Sequence, residues 1–456
     1  MEFFENDAPI FRAITSYAAL NHASFHTPGH KSLIFNGDFF SIYKYDATEI
    51  PCTDELYSPT GCIAQGESLA TELFRSYHTF FSAGGASQCV KAALAEFAGK
   101  KVIFDRNIHF SAAAAAAFYG IDAVFVWGKC DEKTFLPIPP TAEDFRRAVE
   151  ENPDAEAIFL TSPNYFGIAA DCLSVRKLCD EKNLTFIADN SHGTHFFFCE
   201  KTKNTSYDAH FAHVVIDSAH KTLPVMTGGA FLHYNKEVSL SAVRRRMMAA
   251  GSTSPSFSIL ASLDYGRAVC ASEGLKLYSD CCEKVEKLKK TLRNHGFLVA
   301  DGENIDPLRL SVYFGESCAS AERFLEENKI YPEMSSSGFL VFIITPFNEI
   351  SHLELLEKTL LTFNPVEISE NFNCKISIPQ RKLSVREAFF ADREDVLPLE
   401  SAGRISAEMI AFHQPPCAPL AVPGEVISEE LALLLHEKDY GKTAVVADKE
   451  SLLRRK

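Results

Sequence analysis

The composition of the chain is typical of a large globular protein and excludes several classes of function. Its 456 residues are too many for one small core and suit a large domain with one or two smaller ones. Hydrophobic residues make up 46%, but no apolar run approaches the length of a membrane span, so we expect no membrane attachment. The formal charge of −15 argues against nucleic acid as a partner and is compatible with a small cationic substrate.

Two further features of the sequence bear on the compartment. The first residues lack the basic and apolar stretches of a signal peptide. Thirteen cysteines, none in a C-x-x-C pair, favour reduced and buried thiols over a disulfide framework. We therefore expect a cytoplasmic protein.

The first 57 residues have few regular signals, apart from a short helix ending near Asn21, and we expect them to form an N-terminal arm. Three histidines in this arm, His22, His26 and His30, are spaced to line one face of a helix. Pro28 forbids that helix, so we expect a loop there and not a metal-binding face.

From Leu69 onward, short apolar strands alternate with helices, which is typical of βαβ units and a mostly parallel sheet covered on both faces. The alanine run at 112–117 favours a helix that packs closely on this sheet. We expect a major domain at 58–295. The predicted strands are 102–104, 124–126, 157–160, 185–188 and 214–216, and the predicted helices are 88–98, 111–119, 142–151 and 171–182.

The pattern changes near Gly296, where an amphipathic helix predicted at 279–295 ends. Strands at 308–314 and 339–345 and helices at 319–328 and 350–362 then predict a smaller α/β subdomain at 296–370. The remaining residues, 371–456, form a C-terminal domain with helices predicted at 385–390, 402–412 and 428–435 and an extended proline-rich stretch at 414–419.

The strongest chemical signal is the pair of Asp189 and Lys221, each of which follows an apolar strand. Alone, such an aspartate more often caps a helix or binds a ribose, and such a lysine is more often a surface residue. Together they suit pyridoxal phosphate: the lysine forms a Schiff base with the aldehyde, and the aspartate keeps the pyridine nitrogen protonated. Ligands of open α/β sheets bind where these residues are predicted to lie, at the carboxyl ends of the strands.

Other residues are candidates for the same site. The turn at 83–87, Ala-Gly-Gly-Ala-Ser, precedes a helix and would present backbone N–H groups to a phosphate, although most such turns bind nothing. Ser218 and His220 flank Lys221 and offer two more donors. His109 follows a strand, where its imidazole either stacks on a flat ring or is an ordinary loop histidine.

A metal site is the competing interpretation of the histidines near Asp189. His192 and His195 follow it closely, and His210 and His213 come soon after. Zinc ligands usually lie on adjacent turns or hairpins, and Gly193 separates His192 from His195. We therefore expect no metal.

An ordered set of motifs runs through almost the whole chain. They are His26-Thr27-Pro28-Gly29-His30-Lys31, Asp105-Arg106-Asn107-x-His109, Thr161-Ser162-Pro163-x-Tyr165-x-Gly167, Asp189-x-x-His192-Gly193-x-His195-Phe196, Ser218-x-His220-Lys221-Thr222-Leu223, Ser252-Thr253-Ser254-Pro255-Ser256, Arg386-Glu387-Ala388-Phe389-Phe390-Ala391, Gly403-Arg404-Ile405 and Pro423-Gly424-Glu425. Together they resemble the pyridoxal-phosphate-dependent ornithine/lysine/arginine decarboxylase family, in its short form without an N-terminal receiver-like domain.

The resemblance implies the aspartate-aminotransferase fold, fold type I. This is an α/β fold with a three-layer αβα large domain, a mostly parallel seven-stranded sheet, a smaller α/β subdomain and a C-terminal α+β region. The resemblance also implies pyridoxal 5'-phosphate as cofactor and a homodimer with its active site at the interface, with higher assembly left open.

The resemblance also implies roles for the candidate residues. Lys221 would carry the cofactor, Asp189 would pair with the pyridinium nitrogen, and His109 would stack on the ring. His192 would lie near the ring oxygen or the substrate carboxylate. The remaining cofactor contacts would come from Gly85, Ala86, Ser87, Ser218 and His220 at the phosphate, and from Ser252 and Thr253 reaching a neighbouring subunit's cofactor.

The implied reaction is α-decarboxylation of a basic amino acid, giving a di- or polyamine and CO₂. Arginine is favoured, with lysine or ornithine next. A cationic substrate tail needs an acidic partner, and Glu333, Asp54 and Glu55 are candidates by position, although each is as well explained as a surface loop acid. Departures from the family pattern, such as the single hydroxyl in the turn at 83–87 and Gly228, leave two alternatives: another reaction such as transamination, or a non-catalytic homologue with weakened cofactor binding.

Overall fold

The computed structural model describes residues 7–19, 38–130, 136–336, 338–366, 378–411 and 419–447. The motif at 26–31 and residues 414–418 lie outside this part of the chain. Within it, no helix is both long enough and apolar enough to cross a membrane. The helices are α1 (Pro9–Ala19), α2 (Cys62–Phe74), α3 (Gly85–Leu94), α4 (Phe110–Tyr119), α5 (Ala142–Glu151), α6 (Cys172–Lys182), α7 (Leu240–Ala250), α8 (Phe257–Asn294), α9 (Cys318–Glu327), α10 (Ile350–Leu360), α11 (Val385–Phe390) and α12 (Glu429–Glu437). The strands are β1 (His78–Ser82), β2 (Lys101–Asp105), β3 (Asp122–Val126), β4 (Lys129–Cys130), β5 (Pro137–Ile138), β6 (Ala155–Thr161), β7 (Thr185–Asp189), β8 (Val214–Asp217), β9 (Ala230–Tyr234), β10 (Arg309–Tyr313), β11 (Met334–Ser336), β12 (Phe339–Ile343), β13 (Arg393–Val396) and β14 (Thr443–Val446).

Seven strands form the central sheet, in the order β1-β9-β8-β7-β6-β2-β3. The five strands from β8 to β3 are parallel, while β9 pairs antiparallel with β8 and β1. The predicted α/β class and mostly parallel seven-stranded sheet are confirmed. Because β7 and β8 are apolar and buried on both faces, they occupy the middle of the sheet, where they place the residues that follow them at its centre.

Helices cover both faces of the sheet, as in a three-layer αβα domain. α3, α4 and α7 pack on one face, and α5 and α6 pack on the other. The alanines at 112–117 in α4 are all at least 97% buried, with Val102 and Phe104 of β2 in the same core. The small side chains let α4 approach the sheet closely, which confirms the packing interpretation of this run.

The longest helix, α8, is more than twice the length predicted, because only its last turns carry a clean amphipathic pattern. Its first half is buried on several sides and contains two glycines. A Cβ on Gly266 would lie 2.7 Å from Val225, and one on Gly274 would lie 2.9 Å from Phe198. Both glycines therefore permit close packing inside a continuous helix. α8 leads from the large sheet to a second, antiparallel sheet in the order β10-β12-β11.

The C-terminal region returns to the large sheet. β13 and β14 form a two-stranded sheet, and α11 packs against α4. Arg106, just after β2, donates two hydrogen bonds to Glu425 at 2.7 and 2.8 Å and a third to the carbonyl of Pro419. Both charged groups are buried, so this ion pair ties the C-terminal region to the end of β2.

The helix predicted at 402–412 is wrong over the described residues, which end at 411. This stretch is extended and forms isolated β-bridges to two other C-terminal segments. Ile405 pairs with Val426, and Ile410 pairs with Ala421. Gly403 has a positive φ of 75°, which interrupts a helix at its predicted start.

Candidate active site

The four predicted catalytic residues lie at the carboxyl ends of the parallel strands. His109 follows β2, Asp189 ends β7, His192 follows it, and Lys221 follows β8. They are close enough to influence one another, since Asp189 and Lys221 both act on the pKa of His109. The structure therefore brings these four residues together at the edge of the sheet where open α/β sheets usually bind their ligands, as the sequence pattern predicted.

Lys221 is partly buried, and its amine points at the imidazole of His192. Nζ lies 2.9 Å from Nε2 of His192 and 5.3 Å from the centre of the Tyr165 ring. Burial lowers the pKa of Lys221 to about 8, with Arg309 acting in the same direction and Asp189 opposing it. A substantial fraction of this amine is therefore neutral, and hence nucleophilic, near physiological pH.

His192 is buried between two cationic side chains. Its ring packs on Tyr165 at 4.1 Å between centroids, and Nδ1 lies 3.3 Å from Nη2 of Arg309. Burial, followed by the charges of Lys221 and Arg309, lowers the pKa of His192 well below its usual value. The imidazole is therefore neutral. The turn that presents it requires Gly193, because a Cβ there would lie 2.2 Å from the side-chain oxygen of Asn190.

Asp189 is 2% exposed and is held by the residues that follow it. Ser191 donates to Oδ1 from its backbone N–H at 3.2 Å and from its hydroxyl. These bonds fix the carboxylate at the end of β7, on the same side of the sheet as Lys221. A buried carboxylate held in this way suits a cationic group that binds beside it.

His109 caps α4 as well as facing the site. Its Nδ1 accepts a hydrogen bond from the backbone N–H of Ser111 at 3.1 Å. Burial lowers the pKa of His109, and Lys221 acts in the same direction while Asp189 opposes both. Because Nδ1 accepts the hydrogen bond from Ser111, the neutral ring of His109 carries its hydrogen on Nε2.

The predicted phosphate turn begins α3, but one of its donors is already engaged. Gly85 has a φ of 71° and donates its N–H to the carbonyl of Gly228 at 2.7 Å. Ala86 and Ser87 follow in the first helical turn, where the N–H groups and the helix dipole favour an anion. Gly85 therefore shapes the turn, and the donors for an anion would come from the residues after it.

Ser218 and His220 lie beside Lys221 in the segment that follows β8. Ser218 is buried, and its hydroxyl is 3.4 Å from Nδ1 of His220. That nitrogen lies 3.1 Å from the carbonyl of Gly229, which can only accept, so Nδ1 of His220 carries a hydrogen.

The segment with Ser252 and Thr253 is exposed and lies near the start of α3 in the same chain. The hydroxyl of Tyr57 donates to the carbonyl of Ser252 at 2.9 Å and accepts from the side chain of Gln88 at 3.0 Å. Gln88 directly follows Ser87, so the serine-threonine segment flanks the phosphate turn.

Comparison with known proteins decides the family. The family model described as Orn/Lys/Arg decarboxylase, major domain, matches residues 8–318. This chain belongs to that family. It is 28% identical to the arginine decarboxylase of Bacillus subtilis (strain 168) over 455 residues, which cover 93% of this chain and 92% of that protein.

Solved structures support the fold of this decarboxylase-family chain. The lysine decarboxylase LdcF of Francisella novicida aligns with a TM-score of 0.83 at 17% identity, covering 96% of this chain and 81% of that chain. SPT with PLP aligns with a TM-score of 0.52 at 16% identity, covering 65% of this chain and 75% of that one. Fold type I, predicted from the motifs, is confirmed.

The donor set of the family site fits pyridoxal phosphate. The fit requires an amine for the aldehyde, a carboxylate for the ring nitrogen and an anion site for the phosphate. Lys221 is a partly neutral amine, Asp189 is a buried carboxylate, and the first turn of α3 is an anion site of the usual kind.

The three candidate acids for a substrate tail differ in their surroundings. The carboxylate of Asp54 accepts backbone N–H bonds from Glu55, Thr60, Gly61 and Ile63, so it caps the start of α2. Glu55 is exposed. Glu333 is also exposed, but its charge acts on both Lys221 and Arg309, which places it by the site.

The competing metal grouping of Asp189, His192 and His195 does not form. Nε2 of His195 instead donates to Asp306 at 2.8 Å. Among the described residues, the group within metal-ligand reach of one another is His210, Asp217 and His233. Each of the two histidines lies within 3.3 Å of Asp217 and forms a hydrogen bond with its carboxylate.

Two residues of the site were not assigned a role from the sequence. Tyr165 appears in a family motif, and its ring contacts both Lys221 and His192. Arg309 had no signal except its position, a charged residue at the start of an apolar strand. Only its burial in the fold shows that it faces His192.

Proposed function

We propose that this protein is a pyridoxal-phosphate-dependent α-decarboxylase of a basic amino acid, with arginine as the favoured substrate and lysine or ornithine next. The observation that carries the proposal is the arrangement of Lys221 and Asp189. A lysine with a lowered pKa and a buried aspartate share one end of the sheet, with His109 and His192 beside them.

In this proposal, each side chain binds or orients one part of the cofactor. Lys221 would bond to its aldehyde carbon, Asp189 would pair with the ring nitrogen, and His109 would stack on the ring. The phosphate would be bound by Ala86, Ser87, Ser218 and His220, and Gly85 would shape the turn. Ser252 and Thr253 would contact the cofactor of a neighbouring subunit. When bound, the cofactor supplies a ring that accepts the electrons left by the departing carboxyl group.

The protein supplies orientation and a proton. Loss of CO₂ requires the bond from Cα to the carboxylate to be held in one orientation, which the side chains around the substrate would provide. The substrate carbon must then take up a proton. The substrate amine would by then have replaced Nζ on the aldehyde carbon, so the released Nζ of Lys221 and Nε2 of His192, which lie 2.9 Å apart in this structure, would be placed to hold that proton.

The preference for arginine rests on two supports. Arginine decarboxylases are among the relatives that span nearly the whole chain. Glu333 offers a carboxylate for a guanidinium tail at the site. Asp54 is a weaker candidate because its oxygens already accept backbone hydrogen bonds. We further propose a cytoplasmic homodimer with the active site at its interface.

One observation favours the alternative of a homologue with weakened cofactor binding. The N–H of Gly85 is engaged by Gly228, and the turn retains a single hydroxyl, at Ser87. Backbone donors remain in the first turn of α3, so we expect weaker binding of the cofactor and not its loss.

A substrate panel tests the proposal. The protein supplied with pyridoxal phosphate is incubated with arginine, lysine or ornithine, and amine and CO₂ are measured. We expect arginine to react fastest, Lys221→Ala to be inactive and the exposed-lysine control Lys177→Ala to match the natural protein. Keto acid without CO₂ would favour transamination, and no turnover of any of the three would reject the proposal.

A further inference from the structure

Arg309 is a buried cation at the edge of the site with few partners of its own. It is 1% exposed, at the first position of β10. Among the described residues, its Nε and Nη1 have no hydrogen-bond partner, and the nearest carboxylate oxygen, on Asp306, is 3.7 Å from Nε. Burying a guanidinium costs free energy unless its N–H groups are bonded, so this placement calls for an explanation beyond packing.

The surroundings of Arg309 hold it against the loops that follow β6 and β7. A Cβ on Gly167 would lie 2.7 Å from Cβ of Arg309, so this glycine lets the two segments touch. Gly167 also accepts the backbone N–H of Asp306 at 2.7 Å, and Asp306 accepts from His195. The start of β10 is therefore held against the loop after β6 by Gly167 and against the loop after β7 by His195.

The remaining contact of Arg309 determines which nitrogen of His192 carries its hydrogen. A guanidinium donates hydrogen bonds and cannot accept them, so Nδ1 of His192, 3.3 Å from Nη2, must be the acceptor. A neutral imidazole has one hydrogen, which must then be on Nε2. Nε2 lies 2.9 Å from Nζ of Lys221, so Nε2 donates and the amine accepts. An ammonium group has no lone pair, and therefore Lys221 must be neutral in this arrangement.

We propose that Arg309 is a positioning residue: its guanidinium fixes the hydrogen of His192 on Nε2, so that His192 donates to Nζ of Lys221 and favours the neutral form of that amine. The proposal rests on the proposed function only in calling Lys221 the cofactor lysine. The proton arrangement itself exists without any cofactor.

Other charges near Lys221 set the background for this effect. Asp189 and Glu333 favour the ammonium form, and Arg309 opposes it. His109 and His192 have lowered pKa values and are neutral. Among the described residues, Arg309 is thus a nearby cation that favours the neutral amine, both by its charge and through His192.

The first measurement observes the hydrogen directly. The cofactor-free protein is labelled with ¹⁵N-histidine, and the ring nitrogens of His192 are identified by their loss in His192→Gln. We expect Nδ1 of His192 to resonate as an unprotonated nitrogen and Nε2 as a protonated one. A hydrogen on Nδ1 in the natural protein would overturn the proposal without any variant of Arg309.

The second measurement follows the amine. Lys221 is acetylated with a limiting amount of acetic anhydride across a pH series, and its modification is compared with that of exposed Lys177 in the same digest. We expect Arg309→Met to lower the reactivity of Lys221 at pH 7 by about tenfold, which corresponds to a rise of about one unit in the pKa of Lys221. We expect Arg309→Lys to restore most of the reactivity.

A matched control separates positioning from loss of stability. Arg267 is a buried arginine in the first half of α8 that pairs with Asp264, and Arg267→Met removes a guanidinium that does not act on Lys221. Unchanged Lys221 reactivity in Arg309→Met, or an equal drop in Arg267→Met, would refute the role of Arg309. Since neither readout uses the cofactor, failure of the proposed decarboxylation would leave both results interpretable.

Discussion

Two aspartates end parallel strands at the same edge of the central sheet, and their surroundings give them different properties. Asp189 ends β7 and Asp105 ends β2, and both are buried. Asp105 accepts the backbone N–H of Thr161 at 2.9 Å, and burial raises the pKa of Asp105 to about 8. It is therefore protonated at neutral pH and joins β2 to β6. Asp189 faces the site with Lys221, so it is the aspartate suited to hold a cation.

This difference predicts that replacing each aspartate by asparagine will have unequal effects on kcat. Asp189→Asn removes the negative charge that would stabilise the protonated ring, and we expect kcat to fall by at least a hundredfold, on the order of 3 kcal/mol in the barrier. Asp105→Asn replaces an already neutral group of the same shape, and we expect kcat within about twofold. Steady-state kinetics with the best substrate of the panel measures both, and equal losses would show that Asp189 has no special part.

The candidate acids for the substrate tail also yield a prediction. Glu333 acts on Lys221, whereas Glu55 is an exposed acid without that effect. We expect Glu333→Gln to raise the KM for arginine about tenfold, the loss of one charge-assisted contact, with little change in kcat. Glu55→Gln is the matched control. A raised KM in Glu55→Gln alone would assign the role to that residue.

Among the helices and strands, the sequence predicted positions best where the local residue pattern agrees with the burial of those residues in the fold. α5 lies where it was predicted, and the structure shows that Thr141 and Asp144 form a capping box at its start. β7 and β8 were found from their apolar residues, but each prediction stopped one residue before the aspartate that ends the strand. β1 and β9 were not predicted: each contains a histidine that is polar in sequence and becomes partly or fully buried by tertiary contacts. Arg309 was not recognised from the sequence for the same reason, because its contact with His192 joins residues that are far apart in the chain.

The ion pair between Arg106 and Glu425 predicts how firmly the C-terminal region is attached. Arg106→Met would leave Glu425 as an unpaired buried charge, and we expect unfolding to become easier by roughly 3–5 kcal/mol. Adding Glu425→Leu should recover part of this loss. Arg146→Met breaks an exposed pair with Glu181 and should change little. Urea unfolding compares the four proteins, and an Arg106→Met protein as stable as Arg146→Met would contradict the anchoring role.

At the scale of the whole molecule, a buried polar network lies beneath the active-site loops. Asp217, which precedes Ser218, accepts hydrogen bonds from Asn190 at 2.6 Å and from His210 and His233 at 3.3 and 3.2 Å. Asn190 directly follows Asp189. The network thus joins the loop after β7 to the loop after β8, so the two loops of the candidate site share one support.

This network predicts a pH dependence of stability. Burial alone would lower the pKa of His210, but Asp217 and Asp208 together raise it to about 10. The unfolded chain releases this proton near pH 6.5, so the stabilisation is complete below about pH 6.5 and is lost as pH rises towards about 10. We expect His210→Gln to lower the unfolding free energy by on the order of 3 kcal/mol at pH 6, and by much less at pH 9.5. The exposed control His352→Gln should show no such trend in urea unfolding, and a difference that grows with pH would contradict the sign.

In the proposed function, the amine of Lys221 and the carboxylate of Asp189 hold opposite parts of one flat cofactor. The most direct test of this claim is to mix the protein with pyridoxal phosphate, reduce the mixture with borohydride and map the modified peptide by mass spectrometry. We predict one pyridoxyl group, on Lys221, in the natural protein and in Asp189→Asn, with the visible band of the bound cofactor altered in the latter before reduction. A pyridoxyl group on other lysines, or none on Lys221, would contradict the claim.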